Sequence, residues 1–575
     1  MNQIAVAATF SVMLASAPTA SLAGEEATLR FTDRTEVAGI TFHHEDGGSG
    51  RRFVVEIVGA GVLVLDYDQD GWPDLFFVNG RSLPGDTTPA TVGNRLYRNR
   101  GDGRFTDRTA AAGLLDGPDA LRYAMGGAAG DFDNDGDPDL LVTHFGEERL
   151  YWNQGDGTFR EAPGAAGASD PAWTTSAALF DADGDGDLDV YAANYLDYAL
   201  ATHRDCVSPV RELLAYCHPQ EYPGVADSWF ENLGDRRFRA APAPGSEDGK
   251  GLGVVVTDLL ADGIPDVHVA NDTTPNFLFR LERGPGPDGA AVSFHEDGLA
   301  SGVAYNEEGL PEAGMGTDWG DLDRDGRMDL VVTNFDFETN TVYRNLGGGL
   351  FLDATASFGV GGESLTELAF GCDLADFNND GWPDLVVSNG HILDNIAEIQ
   401  SNLRFAQPGQ FFENRQGTLR RNRAAEGDFA RPRVGRGLAT LDYDRDGDLD
   451  LALANNRGPA ELLENHGGAE AGRSIGLLLI GGPSNRDGVG ASITLEAAQP
   501  VQREERRAGS SYLAQHDAVV WFGLGTRAES GPVGIRWPSG RMESLPSLPA
   551  GWIHSIREGQ GVVGRQRAVA GGSPP

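Results

Sequence analysis

The sequence predicts an all-β chain: a seven-bladed β-propeller over residues 24–469, followed by a small C-terminal β domain over 470–563. Three observations predict it. A nine-residue acidic loop, D-x-D-x-D-G-x-x-D, recurs about seven times. Each copy lies between a strand of small residues and a strand of β-branched ones. A string that follows the first copy, Phe105-Thr-Asp-Arg-Thr, also stands near the start of the chain as Phe31-Thr-Asp-Arg-Thr.

The first loop places Asp66, Asp68, Asp70 and Asp74, and the second Asp131, Asp133, Asp135 and Asp139. The third places Asp181, Asp183, Asp185 and Asp189. The fifth has Asp321, Asp323, Asp325 and Asp329; the sixth Asp376, Asn378, Asp380 and Asp384; the seventh Asp442, Asp444, Asp446 and Asp450. A degenerate fourth copy keeps Asp258, Asp262 and Asp266 but has Leu260 at its third position. Successive copies start 50 to 77 residues apart. Small-residue strands such as GAGVLVL and MGGAAG precede the loops, and DLFFVNG or DLLVTHF follow. Each period ends in a further strand and Gly turn such as RLYRNRGDGRF. Short strands at this period give one four-stranded unit per repeat, and seven such units set radially make a propeller. An open solenoid is the competitor, but its rungs are shorter. The last repeat runs out at residues 462–468 with no string like that of Phe105 behind it. The N-terminal strand is therefore expected to complete the last blade, removing the exposed edges of an open array.

The tail repeats none of this, yet IGLLLIGG, ASITLEA, VVWFGLG and VGIRWPSG are again short apolar strands between turn residues. The junction is expected between Ala469 and Arg473, and a disordered tail over 564–575.

With 86 acidic against 45 basic residues the net charge is −41, which disfavours nucleic acid as a partner. The acid is concentrated: 29 of the 86 acidic side chains fall in the seven loops. Carboxylates so close repel one another unless a cation sits among them. Positions 1, 3 and 5 curl inward on a tight turn that Gly at position 6 permits; position 7 offers a carbonyl and position 9 closes the shell. The donors are all hard oxygens without His or Cys, which selects calcium over zinc or copper, and magnesium wants a tighter octahedron. One copy would read as a solvated turn; six in phase predict about six Ca²⁺, with the fourth loop left out.

Residues Ile4 to Ala17 form an uncharged, mostly apolar stretch too short to span a bilayer, and Ser21-Leu22-Ala23 offers a cleavage site. Residues 1–23 are read as a signal peptide, although no Lys or Arg precedes the apolar stretch, and the protein as secreted or periplasmic without a membrane span. In an oxidising compartment Cys206 and Cys217 are expected to staple the loop between them, and Cys372 to lie in the core.

These residues carry a resemblance. The repeats resemble the FG-GAP (VCBS-type) repeats of integrin α-subunit propellers, in which such loops bind calcium. The segment after about 470 resembles the ASPIC/UnbV domain, on Asn485-Arg-Asp-Gly-Val-Gly-Ala491, Ala508-Gly-Ser-Ser-Tyr-Leu513, Phe522-Gly-Leu-Gly525 and Trp537-Pro-Ser-Gly540. Together they cover most of the chain and are similar to the cartilage acidic protein-like family and its bacterial relatives. The resemblance implies calcium binding and an extracellular interaction role.

No G-x-S-x-G, H-E-x-x-H or phosphate-loop motif is present. His391, after the sixth loop, reads as a hydrogen-bonded turn residue, and His43-His44, beside a Gly-rich stretch, as solvated. Trp72 and Trp382 share one loop position and are expected to pack between blades. The sequence thus favours a module that binds an extracellular protein or glycan. The rival is a lyase or biosynthetic tailoring enzyme with its site in the propeller mouth.

Overall fold

In each of seven successive sheets, the residue before the acidic loop pairs with the loop's ninth residue, as Leu65 does with Asp74 and Leu441 with Asp450. The loop is thus the hairpin between the first and second strands. The computed structural model describes residues 29–84, 93–115, 122–208, 211–260, 262–285, 290–467, 473–496 and 500–568. The predicted signal peptide lies outside them, as do residues 468–472 at the junction. The chain is all-β, its helices being single turns.

Each of the seven sheets has four antiparallel strands in sequential order, except that the seventh borrows one and the first gains a fifth, parallel strand, Ala514–Gln515. The first contains Val62–Leu65, Asp74–Phe77, Arg95–Asn99 and Phe105–Asp107. The second strands are apolar without alternation because both their faces are covered; every residue of Asp139–His144 and Asp450–Asn455 is buried. The first strands meet one another in order from sheet to sheet, and Gly435–Leu441 of the seventh also meets Val62–Leu65 of the first. Their small residues are what that approach demands. A Cβ on Gly61 would stand 2.6 Å from Met125 O in the next sheet, and one on Gly437 2.8 Å from Ala60 O.

The seventh sheet takes Arg30–Asp33 as its outer strand, with Phe31 opposite Asn465. The repeated string has a local reason. Asp33 Oδ1 accepts from the Thr35 N–H (3.0 Å) and hydroxyl (2.7 Å), and Asp107 does the same for Thr109. Asp353 and Thr355 form a third copy, which keeps only Phe, Asp and Thr of the string.

An apolar cluster gathers residues at or just before the first strands of five sheets: Met125, Trp173, Leu252, Met315 and Phe370. Phe53 and Val55 join it from the 43–58 segment, and Tyr198, Tyr222 and Cys217 from the insertion in the third sheet. Cys206 and Cys217 are disulfide-bonded within that insertion, and Cys372 is buried.

The C-terminal segment forms two four-stranded sheets around Ile475, Ile493, Phe522, Ile535 and Trp537. Its last strand runs Gly561–Arg567, so the expected tail starts within a strand; residues 569–575 lie outside the described ones. This segment is not an appended unit. Residues 505–517 leave it and bond to all seven sheets. Val62 N–H donates to Leu513 O (3.1 Å), Gln515 exchanges two bonds with the Ala129 backbone, and Leu513 N–H reaches Ser176 Oγ (3.0 Å). Thr257 donates to Glu505 (2.8 Å), Ser511 pairs with Thr317, Cys372 N–H donates to Ser511 Oγ (2.9 Å), and Asp517 N–H to Thr440 O (3.0 Å). Tyr512 and Leu513 complete the apolar cluster.

Candidate metal centres

One scaffold of backbone bonds shapes every loop. The first aspartate accepts two N–H groups: Asp66 takes those of Asp70 (3.1 Å) and Gly71 (2.8 Å), and Asp442 those of Asp446 and Gly447 (both 3.1 Å). The fifth accepts the N–H of position 7, as in Asp70 with Trp72 (3.0 Å). Gly at position 6 is required, since its φ lies between 87° and 105° in all seven copies.

The ninth aspartate has a structural task besides the one its place in the motif suggests. It is buried in every copy. One of its oxygens accepts the N–H of position 2, and in six sheets the other accepts an N–H from the third strand. Asp139 takes Phe132 N–H (3.1 Å) and Asn153 N–H (2.8 Å); Asp384 takes those of Phe377 (3.2 Å) and Asn414 (2.7 Å). It ties the loop to its own sheet.

Three carboxylates converge, with ligand atoms within 4.8 Å of one another, in five loops. The trios are Asp66, Asp68 and Asp70; Asp131, Asp133 and Asp139; Asp181, Asp183 and Asp189; Asp321, Asp323 and Asp325; and Asp442, Asp444 and Asp450. In the sixth loop Asn378 replaces a carboxylate, and its Oδ1 accepts the Asp380 N–H (3.0 Å). In the fourth, Leu260 is more than one-third exposed. The third position supplies the test of fit to a cation. Asp68 Oδ1, Asp323 Oδ1 and Asp444 Oδ1 are buried with no hydrogen-bond partner, within a set of oxygens free of N and S donors. Such atoms suit a hard divalent ion. Arginines flank the outer side: Arg98 bonds Asp68 and Asp70, Arg236 bonds Asp133, and Arg344 bonds Asp323.

The electrostatics agree. Burial, reinforced by neighbouring carboxylates and opposed by the backbone N–H bonds, pushes Asp66, Asp131 and Asp376 up to about 7. Burial likewise takes Asp139 and Asp446 to about 9. Clustered anions removed from water favour either a proton or a bound cation.

Sequence reading missed an asparagine that closes the third strand in six sheets. Asn153 Nδ2 donates to Tyr67 O (2.9 Å), the second position of the preceding sheet's loop. Asn232 reaches Phe132 O (2.8 Å), Asn414 Leu322 O (2.9 Å), Asn465 Phe377 O (2.8 Å), and Asn99 of the first sheet Tyr443 O of the seventh (2.8 Å). In the fourth sheet Leu281 stands at this place, and Arg283 reaches Ala182 O (2.8 Å) instead. Asn345 keeps its amide on Met328 O (3.0 Å) within its own loop. The signal was visible as the recurring Asn in YRN, YWN and FEN.

His391 is a turn residue as expected: its Nδ1 accepts the Leu393 N–H (2.9 Å), and Nε2 lies 3.4 Å from Asp336. His44 is not solvated. It is fully buried, because the 43–58 segment folds over the apolar cluster, and burial pulls its pKa down to about 3. His43 is exposed. Trp72 is half-buried under Arg445 of the seventh sheet, and Trp382 is half-buried near Gly417 of its own sheet's hairpin.

The face carrying the loops is covered by the C-terminal segment. Asp131 N–H donates to Asp487 (2.9 Å), Arg503 to Gly326 O (3.2 Å), Gly525 N–H to Asn379 O (2.8 Å), and Ser474 to Gly447 O (2.6 Å). A Cβ on Gly186 would meet Pro483 O at 3.0 Å, and one on Gly71 would meet Gln566 Nε2 at 2.3 Å.

Comparison with known proteins gives this geometry its relatives. Residues 481–563 match the family described as ASPIC and UnbV, and 66–142, 131–192 and 314–387 match the FG-GAP-like repeat. Cartilage acidic protein 1 of Homo sapiens is 27% identical over 328 residues, 56% of this chain and 45% of that protein. The Mus musculus protein is 28% identical over 392 residues, 67% of this chain and 54% of its own length. The chain thus spans about half the length of these relatives. Among solved structures, an Agrocybe aegerita lectin described as recognising non-reducing terminal N-acetylglucosamine is 15% identical with a TM-score of 0.37, over 68% of this chain and 88% of the lectin. At that score the likeness carries no argument about function.

Proposed function

We propose that this chain, an FG-GAP-repeat protein with an ASPIC/UnbV domain, works as an exported, calcium-loaded seven-bladed β-propeller that binds an extracellular protein or glycan. The observation that carries the reading is the buried, unpartnered third-position oxygen at the centre of a carboxylate trio. The seven sheets whose first strands meet in cyclic order support the propeller, with Arg30–Asp33 closing the last blade. Bound calcium would supply the positive charge that fixes the hairpin loops. The five trios, in which Asp139, Asp189 and Asp450 take part beside the first and third aspartates of the second, third and seventh loops, would hold it, and Asp376, Asn378 and Asp380 would hold a sixth ion. Export is supported by the Cys206–Cys217 disulfide. Among the described residues no helix is long and apolar enough to cross a membrane. A binding module is favoured over an enzyme because Met125, Leu252, Met315, Phe370 and Tyr512 pack into one apolar cluster beside the first strands of the sheets.

The test is a panel of extracellular glycans and proteins probed with calcium-loaded and calcium-stripped protein. Stable binding that is lost on stripping is expected. Turnover of a small molecule without stable binding would sink the reading.

The metal has its own test in pH. Asp66 and Asp131 have folded pKa values of about 7, and Asp139 and Asp446 of about 9, against 3.8 unfolded, so in metal-free protein these four stabilise the fold at low pH and lose that contribution as pH rises through 7 to 9. Calcium competes with those protons. The gain in melting temperature on adding calcium is therefore expected to be small near pH ~5 and largest near pH ~9. A gain that is flat with pH, or absent, would refute calcium in these clusters; differential scanning calorimetry of dialysed protein measures it.

A further inference from the structure

We infer that Arg536 of the C-terminal segment is the cation of the fourth loop, its guanidinium standing where a metal ion stands in the others. The inference rests on the calcium reading of those other loops and extends it to the copy that the motif excludes.

The fourth loop has lost a ligand but not its shape. Asp258 accepts from Asp262 N–H (3.0 Å) and Gly263 N–H (2.9 Å), Asp262 from Ile264 N–H (2.9 Å), and Asp266 from Leu259 N–H (3.1 Å). Gly263 keeps φ at 93°. An empty copy of an ion-binding turn, which keeps its first and fifth carboxylates, would carry the repulsion that a cation relieves elsewhere. The structure provides one. Arg536 Nη2 bonds Asp258 Oδ2, and a Cβ on Gly263 would come within 3.2 Å of Arg536 Nη1. The C-terminal segment meets the position-6 glycine in intact loops as well, Arg486 at Gly136 among them; what sets the fourth loop apart is that its arginine bonds the first aspartate itself.

Two further observations fit. Arg280 occupies the third-strand place that Arg98 and Arg344 hold in sheets one and five. Those two bond the third-position aspartate; with Leu260 in that place, Arg280 bonds Asp297 instead. The local arginine has been released by the lost ligand, and the replacement charge comes from another part of the chain. Glu505, too, turns to this loop, accepting from Thr257 Oγ1 (2.8 Å), so the C-terminal segment holds the fourth sheet by two side chains. Arginine suits the role: it is always charged, and its planar fork satisfies carboxylate lone pairs without an ion's coordination number.

Native mass spectrometry for bound calcium and calorimetry, on the full chain, test this with L260D, R536Q and the double variant. L260D rebuilds the motif at an exposed position and is expected to bind no more calcium than the parent, because the guanidinium still fills the place. R536Q is expected to lower the melting temperature by about 2 °C or more in chelator as well as in calcium. L260D/R536Q is expected to bind one more ion than the parent and to recover stability only when calcium is present. An extra ion in L260D alone, or none in the double variant, would overturn the inference. Should R536Q not fold, R536K keeps a charge there, and the L260D count still decides. A parent that binds no calcium would defeat the reading of the other loops; Arg536 is then judged by R536Q in chelator, where an unchanged melting temperature overturns it and a loss upholds it.

Discussion

Replacing Tyr512 and Leu513 together by alanine is expected to unfold the seven sheets along with the C-terminal segment. Both side chains are fully buried in the cluster that the first strands share, and Tyr512 OH donates to Val58 O (2.7 Å). Truncation of a buried aromatic costs about 3–5 kcal/mol and of a buried leucine about 2–5 kcal/mol, with no full additivity between neighbours. Losses of that size approach the ~5–15 kcal/mol that holds most folds together. The surrounding hydrogen bonds tie residues 505–517 to every sheet, so no sheet is insulated from the loss. Calorimetry should give one transition, displaced far downwards. Two transitions, the sheets melting at their original temperature, would show that the segment is only appended.

The second large effect separates aspartates that share one motif. Asp74→Ala, at a ninth position outside its loop's trio, strips acceptors from the buried N–H groups of Tyr67 and Asn99, each worth about 1–3 kcal/mol when left unpaired. That loss of roughly 2–6 kcal/mol is expected in chelator and in calcium alike. Asp68→Ala removes a carboxylate whose inner oxygen has no partner, and it is expected to cost little in chelator while lowering calcium binding. Denaturant titrations of the two variants, with and without calcium, make the comparison. Equal calcium dependence for both would contradict the division of labour.

The repeat made much of this legible. Fixed spacing placed the hairpins, and small residues before each loop marked the strands whose backbones nearly touch, as at Gly61 and Gly437. What escaped was long-range. Nothing in Ala508-Gly-Ser-Ser-Tyr-Leu513 announces that it bonds to strands hundreds of residues earlier, since a short extended stretch reads as any loop. His44 was misread because a polar dipeptide beside glycines signals a surface, whereas its burial comes from Phe53 and Val55 folding over the cluster. The motif points the ninth aspartate at a metal, as the trios with Asp139, Asp189 and Asp450 have it; its backbone partners, an N–H seven residues back and another in the third strand, are visible only after the sheet has formed.

The asparagine bonds have a mechanical consequence. Around the circumference, six of the seven junctions carry a side-chain tie from one sheet to the hairpin before it, five through asparagine and one through Arg283. Asn345 turns to its own loop, and the junction between the fourth and fifth sheets lacks such a tie among the described residues. The missing tie is not at the seam where the N-terminal strand meets the last repeat in the seventh sheet, which Asn465 and Asn99 clasp on either side, but beside the hairpin that has lost its third-position carboxylate, where Thr317 and His268 bond between the strands instead (2.9 Å).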